Sequence, residues 1–240
     1  MRYNLKYSPY GEKAILIEWP AFIDEYILEN ILKFKFELEN YYIKQKVDII
    51  NTYNSLLIIY DVTIDKLNDE VFIFKKLYLE NSEAEKVKSK IWEIPVCYDD
   101  EFSTDLDAFL IKKKLSKTEL IELHSNAIYT IYFLGFLPGF LYLGGLDSML
   151  YLDRKITPNL NVKKGAVGIG GKQTGIYPKD SPGGWHIIGN SPVDFFNSNN
   201  NPPSVFKVGD KVKFSPISPS QYTAIKVKSD YKLNYFKSND

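Results

Sequence analysis

The glycines constrain the fold of this chain more than any other feature, because twelve of the fourteen lie between Gly135 and Gly189. The stretch reads GFLPGFLYLGGLD, then TPNLNVKKGAVGIGGKQTGIYP, then SPGGWHIIG. Glycine permits positive φ and lets other groups approach the backbone closely. The interleaved aromatic residues supply apolar surface with a polar edge. Glycines needed only for turns would be scattered, so this clustering predicts a shaped surface made of loops.

Composition excludes several classes of protein. The chain has 240 residues, enough for one large domain or two small ones. Thirty basic and thirty acidic residues give zero formal net charge, which argues against a nucleic-acid binder, since such proteins carry a basic face. The single cysteine, Cys97, excludes an intramolecular disulfide, and with two histidines we expect no metal site. No secretory signal or membrane-spanning run is recognisable, so we expect a cytoplasmic protein with no membrane partner.

Strand and helix patterns alternate in the first third of the chain. The order is that of the split β-α-β, ferredoxin-like plan, although the pattern leaves open which sheet the last of these strands joins. The charged segment 81–89 is interpreted as a linker, so we predict domains at 1–90 and 91–240. The predicted elements are strands at 3–7, 13–19, 46–50, 55–60 and 91–97, with helices at 21–39 and 65–79.

Short strands dominate the pattern after residue 126. Before it, Ser116 and Glu119 form an S-x-x-E capping box that predicts a helix. Beyond it, short apolar runs alternate with glycine and proline, which indicates a β-sandwich or barrel. The run KVGDKVKFSPI at 207–217 is predicted to be a closing strand, and the residues from Lys226 onward to fray.

The glycine-rich stretch matches no common catalytic loop. The run from Gly165 to Lys172 has neither the P-loop spacing nor a following helix, and no G-x-S-x-G elbow occurs. The side chains of Gln173 and Thr174 can orient an amide, and glycine-rich backbone can hold an anion. The alternative is a set of tight β-turns with core aromatics, and the pattern leaves both interpretations open. His124, at a helix end, either satisfies the last carbonyls or acts as an acid/base group.

A family resemblance rests on five runs: FLGFLPGFLYLGGLD, GAVGIGGKQTGIYP, SPGGWHIIGNSP, VGDKVKFSPI and, more weakly, IPVCYDDEF. Together they resemble the family of 5-oxoprolinase B subunits, also called allophanate hydrolase subunit 1, which includes Kip-type inhibitors of sporulation histidine kinases. The resemblance covers nearly the whole chain and is most specific from Phe133 to Pro192.

The resemblance implies an α+β protein with a ferredoxin-like α/β N-terminal domain and a cyclophilin-like β-barrel C-terminal domain. It also implies two partners of the 5-oxoprolinase complex, the A subunit and a C subunit of the allophanate hydrolase subunit 2 type. Together such subunits cleave 5-oxoproline to glutamate at the expense of ATP, which the complex binds. We therefore expect a non-autonomous subunit of an ATP-hydrolysing amidohydrolase.

The chain departs from the family at two positions. Asn159 and Asn190 stand where arginines are usual, whereas Arg154 is retained. Arginine binds oxyanions through paired, charge-assisted hydrogen bonds. An anionic ligand is therefore expected to lose about 1.5–3 kcal/mol for each such hydrogen bond.

If the chain is the enzyme subunit, its glycine-aromatic surface lines a cleft, shared with the C subunit, that holds a cyclic amide or its phosphorylated form. Gln173 then orients the amide, and His124 is the best acid/base candidate. These two are the predicted catalytic residues, and the predicted substrate-binding residues are Arg154, Gly170, Gly171, Thr174 and Tyr177.

The alternative is a regulatory protein that docks on the helical domain of a sensor histidine kinase and blocks its autophosphorylation. Exposed aromatics around Gly-Pro turns suit such a contact, because a few buried aromatics dominate interface energy. The predicted partner-binding residues are Phe136, Pro138, Phe140 and Trp185. We favour the enzyme subunit on family prevalence.

Overall fold

The computed structural model describes residues 3–45, 47–80, 89–228 and 231–237. The chain divides into two units, Met1–Val87 and Lys88–Asp240. The predicted linker at 81–89 lies outside the described residues, except for its last residue. Within the described ranges, none of the helices has the length and apolar character needed to cross a membrane.

The first unit is a four-stranded antiparallel sheet with two helices. The sheet order is β1-β2-β4-β3, so β4 lies between the two strands that α1 connects. Helix α1 begins where the carboxylate of Asp24 accepts hydrogen bonds from the backbone N–H groups of Tyr26 and Ile27. The elements are β1 (Lys6–Pro9), β2 (Ala14–Glu18), α1 (Glu25–Tyr41), β3 (Val47–Asn51), β4 (Ser55–Tyr60) and α2 (Leu67–Glu80).

The second unit opens with one strand and a helical segment, and its other strands follow. Helix α4 begins at the predicted capping box, where the Ser116 side chain accepts from the Glu119 N–H and the Glu119 carboxylate accepts from the Ser116 N–H. Two short 3-10 helices lie at Asp100–Phe102 and Ser148–Leu150. The other elements up to β9 are β5 (Lys90–Val96), α3 (Leu106–Lys113), α4 (Lys117–Asn126), β6 (Ile128–Leu134), β7 (Leu141–Gly144), β8 (Asn159–Val162) and β9 (Ala166–Gly170).

The rest of the second unit completes a large mixed sheet. Its order is β12-β9-β10-β7-β6-β13-β5-β14, while β8 and β11 form a separate pair. The residues after Lys226 were predicted to fray, but β14 pairs antiparallel with β5, so this prediction is wrong for part of the tail. The remaining elements are β10 (Gln173–Ile176), β11 (Ser181–Gly183), β12 (His186–Asn190), β13 (Lys211–Pro216), α5 (Pro219–Lys226) and β14 (Tyr235–Lys237).

Strand β5 resolves the question of which sheet the strand at 91–97 joins. It pairs in parallel with β13, from Ile91 opposite Lys211 to Val96 opposite Pro216. The carboxylate of Asp210 fixes this pairing, because it accepts hydrogen bonds from the N–H of Lys90 (3.0 Å) and from Nε1 of Trp92 (2.9 Å). Strand β5 therefore belongs to the second unit, and the edge of the first sheet is formed by β1 instead.

The two faces of the large sheet carry different side chains. Leu141 and Leu143 of β7 join the core on which α3 and α4 pack, and we call this side the helix-covered face. Tyr142 points to the other side, as alternation along a strand requires. We call that second side the aromatic face, and it is formed by Phe140, Tyr142, Tyr177 and Trp185.

Candidate functional site

Trp185 lies over strand glycines at the centre of the aromatic face. A Cβ atom added at Gly170 would be 2.5 Å from Cδ1 of Trp185, and one added at Gly175 would be 2.9 Å from its Cζ3. At Gly168 the added Cβ would be 3.1 Å from the Trp185 Cβ. These three glycines lie within β9 and β10, so the prediction that the glycines form loops is wrong for them. They are needed because the indole occupies the space of their missing side chains.

The rings of the aromatic face pack edge to face. The centroid of Phe140 is 5.6 Å from that of Trp185 and 5.0 Å from that of Tyr177. Tyr142 packs 5.8 Å from Trp185, and Phe133 stacks on Tyr142 at 4.0 Å. Burial raises the pKa of Tyr177 to about 12, so its hydroxyl stays protonated at neutral pH. Together the rings form a closely packed apolar cluster with polar groups at its edges.

Arg154 packs against this aromatic cluster, over the ring of Trp185. Its guanidinium carbon is 5.7 Å from the centroid of the Trp185 ring. The neighbouring backbone is anchored on both sides: Nε2 of His186 donates to the carbonyl of Asp153 at 3.0 Å, and the N–H of Lys155 donates to the carbonyl of Gly184 at 2.7 Å. A guanidinium held on an aromatic ring keeps its N–H donors available for a carboxylate or phosphate.

Two further observations single out Arg154. No carboxylate forms an ion pair with it within the described residues, whereas Lys155 next to it is paired with Asp105 at 2.9 Å. The sequence also carries a signal that pattern analysis missed, since only two of its 30 basic residues are arginines, Arg2 and Arg154. The side chain of Arg154 is thus a cation that lies on an aromatic ring and has no ion pair in the described residues.

His124 lies on the helix-covered face, in a chain of hydrogen bonds with defined direction. Thr174 Oγ1 donates to the carbonyl of Gly168 at 3.0 Å, so it accepts from Nε2 of His124 at 3.1 Å. The other ring nitrogen, Nδ1, then accepts from the hydroxyl of Tyr98 at 2.7 Å. The imidazole also stacks on Phe214 with 4.5 Å between the ring centroids.

This environment keeps His124 neutral. The side chain is fully buried, and burial lowers its pKa to about 3, because the charged imidazolium would lose its hydration. The sequence suggested a protonated imidazole at a helix end, but desolvation outweighs the helix dipole here. Both ring nitrogens already have protein partners, so the geometry assigns His124 to the core. Its predicted acid/base role stays a prediction.

The predicted catalytic and substrate-binding residues therefore separate into two groups. Thr174 and His124 meet on the helix-covered face, and the contact between them was not predicted. Gln173 precedes Thr174 in β10, so its side chain is directed to the aromatic face with Tyr177 and Arg154. Gly170 supports Trp185, while Gly171 turns the β9–β10 hairpin with φ +66°.

The predicted partner-binding residues also separate. Phe136 is 62% exposed and Pro138 is exposed, in the loop between β6 and β7. Phe136 has φ +67°, an unusual conformation for a bulky residue. Phe140 and Trp185 are only 1% and 4% exposed, so neither offers a surface to a partner. Phe140 supports the loop from inside, with its ring centroid 5.7 Å from that of Phe136.

The remaining candidates are structural. Asn190, at a position of a family arginine, is buried, donates from Nδ2 to the carbonyl of Lys164 and accepts from the hydroxyl of Tyr222. Cys97 is buried in the core, and burial raises the pKa of its thiol to about 11. Across the described ranges, no group of three or more His, Cys, Asp or Glu side chains is placed to hold a metal ion.

Comparisons with known proteins place these features in a family. The family described as "Carboxyltransferase domain, subdomain C and D" matches residues 5–206. The chain is 44% identical over 151 residues to the B subunit of 5-oxoprolinase from Bacillus subtilis, and the match covers 63% of this chain and 63% of that protein. The matched segment thus spans less than two thirds of that relative's length.

Solved structures also resemble this chain. A conserved uncharacterized protein from Pyrococcus horikoshii superposes with a TM-score of 0.54 at 39% identity, covering 90% of this chain and 100% of that one. The urea carboxylase of Kluyveromyces lactis gives a TM-score of 0.81 at 19% identity, covering 98% of this chain and 24% of that enzyme. At this identity the second similarity is one of fold alone.

Proposed function

Because the chain belongs to the carboxyltransferase-domain family, subdomains C and D, we propose that it acts as the B subunit of an ATP-dependent 5-oxoprolinase. The resemblance to the family of 5-oxoprolinase B subunits is confirmed by the 44% identity to the Bacillus subtilis protein of that name. That identity is the single observation that carries the proposal. In the proposed reaction 5-oxo-L-proline is opened to L-glutamate.

The aromatic face supports a binding role in this reaction. A 5-oxoproline molecule combines a small ring, an amide and a carboxylate. Arg154 on the Trp185 ring offers N–H donors to the carboxylate, and Gln173 offers donor and acceptor groups to the amide. We therefore assign substrate contact to Arg154 and Gln173.

We assign the bond-breaking chemistry to a complex with the A and C subunits, which also binds ATP. The imidazole of His124 is neutral, buried and committed to Tyr98 and Thr174. The Cys97 thiol is protonated at neutral pH, because burial raises its pKa to about 11. Neither group suits a nucleophile or proton carrier, which favours a non-autonomous subunit. We propose that this subunit works in the cytoplasm.

We also propose the finer fold assignment. In the first unit, β4 inserted between β2 and β3 supports the ferredoxin-like plan, with β1 in place of the usual last strand. For the second unit we propose the cyclophilin-like β-barrel, supported by its eight-stranded sheet. The sensor-kinase alternative is not carried forward, because the matched curated relative is named for 5-oxoprolinase.

The test is reconstitution. The chain is co-expressed with the A and C subunits, and ATP-dependent release of glutamate from 5-oxo-L-proline is measured. We expect turnover with the native chain and a loss of about ten-fold or more with Arg154→Gln, the size of one charge-assisted hydrogen bond. Lys213→Gln, which alters an exposed lysine of β13, is the matched control and should retain full turnover.

A positive control makes a negative result decisive. The Bacillus subtilis relative is substituted for this chain in the same preparation with the same partners. If that complex releases glutamate and the one with this chain does not, the proposed function is refuted.

A further inference from the structure

A second candidate site is a cleft of about 310 Å³ whose lining includes none of Arg154, Gln173 and Trp185. Its buried apolar lining residues pack in the same cluster as Trp185. Its walls come from β8, the 3-10 helix Asp100–Phe102, helix α5 and the end of β12. Three apolar residues, Val162, Ala166 and Ile187, contribute to its lining and are buried. The volume is within the range of small-molecule pockets, which combine apolar lining with a few polar groups.

The β8 wall presents hydrogen-bond donors. Asn159 and Asn161 are two residues apart on one strand and both line the cleft. Their acceptor oxygens are already used: Asn159 Oδ1 accepts from the N–H of Asn161 at 2.9 Å, and Asn161 Oδ1 accepts from Nζ of Lys163 at 3.0 Å. Over the described parts of the chain, neither amide nitrogen has a hydrogen-bond partner. Their NH₂ groups are left to donate to a ligand.

The opposite wall combines rings with a cation. Phe102 and Tyr222 pack at 4.3 Å between ring centroids, and the Tyr222 hydroxyl is committed to Asn190. Lys226 lies 5.6 Å from the centroid of the Tyr222 ring, and no carboxylate pairs with it in the described segments. Of the lining carboxylates, Asp180 is engaged by Lys163, while Glu101 adds a negative charge at the rim.

Two of the three lysines in the lining are already paired, Lys163 with Asp180 and Lys164 with Asp194. Lys226 is therefore the lining lysine without an ion pair in the described residues, and it adds a charged donor to the two amide groups. A ligand with more acceptors than donors matches this balance, whereas a cation would meet unpaired N–H groups. We propose that the cleft binds a small molecule with an apolar body and an oxyanion, which contacts Lys226 and the amide nitrogens of Asn159 and Asn161.

Two probes identify the oxyanion. Binding of 5-oxo-L-proline and of inorganic phosphate to the full-length chain is measured separately by calorimetric titration. The first probe rests on the proposed function, and the second does not. We expect saturable binding of at least one of them, weakened about ten-fold or more by Lys226→Gln and about three-fold by Asn161→Ala. Lys213→Gln again serves as the matched control and should bind like the native chain.

The response to Lys226→Gln decides the outcome. Weaker binding of either probe by this variant supports the cleft, whether or not Arg154→Gln also weakens binding of 5-oxo-L-proline, as the proposed function expects. The probe whose binding is weakened shows whether the cleft takes a carboxylate or a phosphate. If neither probe binds, or if Lys226→Gln leaves the binding of both unchanged, the proposal is overturned. Glutamate release by the reconstituted complex is a separate readout, so a failure of the cleft and a failure of the proposed function are distinguishable.

Discussion

Strand β10 contributes to both faces of the large sheet, the helix-covered face and the aromatic face, and the two faces are packed in opposite ways. On the helix-covered face, Thr174 and His124 bury polar atoms, and each of these atoms has a partner. On the aromatic face, Gly175 contributes no side chain, and Trp185 fills the space. One region depends on satisfied hydrogen bonds, and the other on close packing of rings against bare backbone.

This difference shows where ligand contact is possible. In this buried polar chain every donor is committed to a protein acceptor, so none is left to donate to a ligand. The aromatic face carries Arg154 at its edge, and no carboxylate forms an ion pair with this side chain in the described residues. The two polar side chains of β10 are therefore divided: Thr174 lies in a structural region and Gln173 in a binding region.

The largest effect is expected from removing the indole. Trp185→Ala leaves a void over Gly170 and Gly175, and truncation of a large buried aromatic costs about 3–5 kcal/mol. The urea midpoint of the second unit should fall sharply, as measured by far-ultraviolet circular dichroism. A loss below about 1 kcal/mol would show that packing of the indole over the strand glycines contributes little to stability.

The pH dependence of stability tests the helix-covered face. His124 has a folded pKa of about 3 against an ordinary value of 6.5, so the unfolded chain takes up a proton between these pH values and the folded chain does not. Its contribution is therefore complete above pH 6.5 and is lost as the pH falls, at a limiting slope of about 1.4 kcal/mol per pH unit.

Other groups titrate in this range, so the measurement is a difference. Urea unfolding is followed between pH 7 and pH 4 for the native chain and for His124→Leu. The variant starts less stable, because the Tyr98 hydroxyl loses its acceptor, but its stability should fall less steeply. Identical slopes in both proteins would mean that His124 is protonated in the folded chain.

The smallest effect is expected from adding one methyl group at a strand glycine that Trp185 covers. Gly170→Ala places a methyl group 2.5 Å from the Trp185 ring, and we expect a cost of about 1–3 kcal/mol from overpacking. Gly171→Asn is the matched control, because the space around Gly171 is open and asparagine tolerates its positive φ. Equal stability of the two variants would argue against close contact at position 170.

Local elements were predictable because their signals are local. The capping box at Ser116 and Glu119 fixes the start of α4, and the apolar spacing of residues 21–39 indicated α1, which begins only at Glu25 because Asp24 caps it. The pairing of β5 with β13 was not predictable, since it joins Ile91 to Lys211 across most of the second unit. Pairing between residues so far apart in the sequence cannot be predicted from local hydrophobic periodicity.

The site was predictable in its members but not in its arrangement. Gln173, Thr174 and His124 were identified by residue type, yet the alternation of β10 sends neighbours to opposite faces. The glycines were recognised as unusual, but their function depends on where one indole lies, which local sequence does not encode. Arg154 was identified from the family resemblance, and its rarity in a lysine-rich chain was the signal left unused.

The position of β13 between β5 and β6 has a consequence for biosynthesis. Both neighbours leave the ribosome long before β13 does, so each carries an open strand edge while the intervening residues are translated. Open edges can pair with other chains, and contacts of high sequence separation form slowly. A nascent chain of this protein therefore passes through a stage exposed to aggregation, which ends when the last large strand enters the sheet.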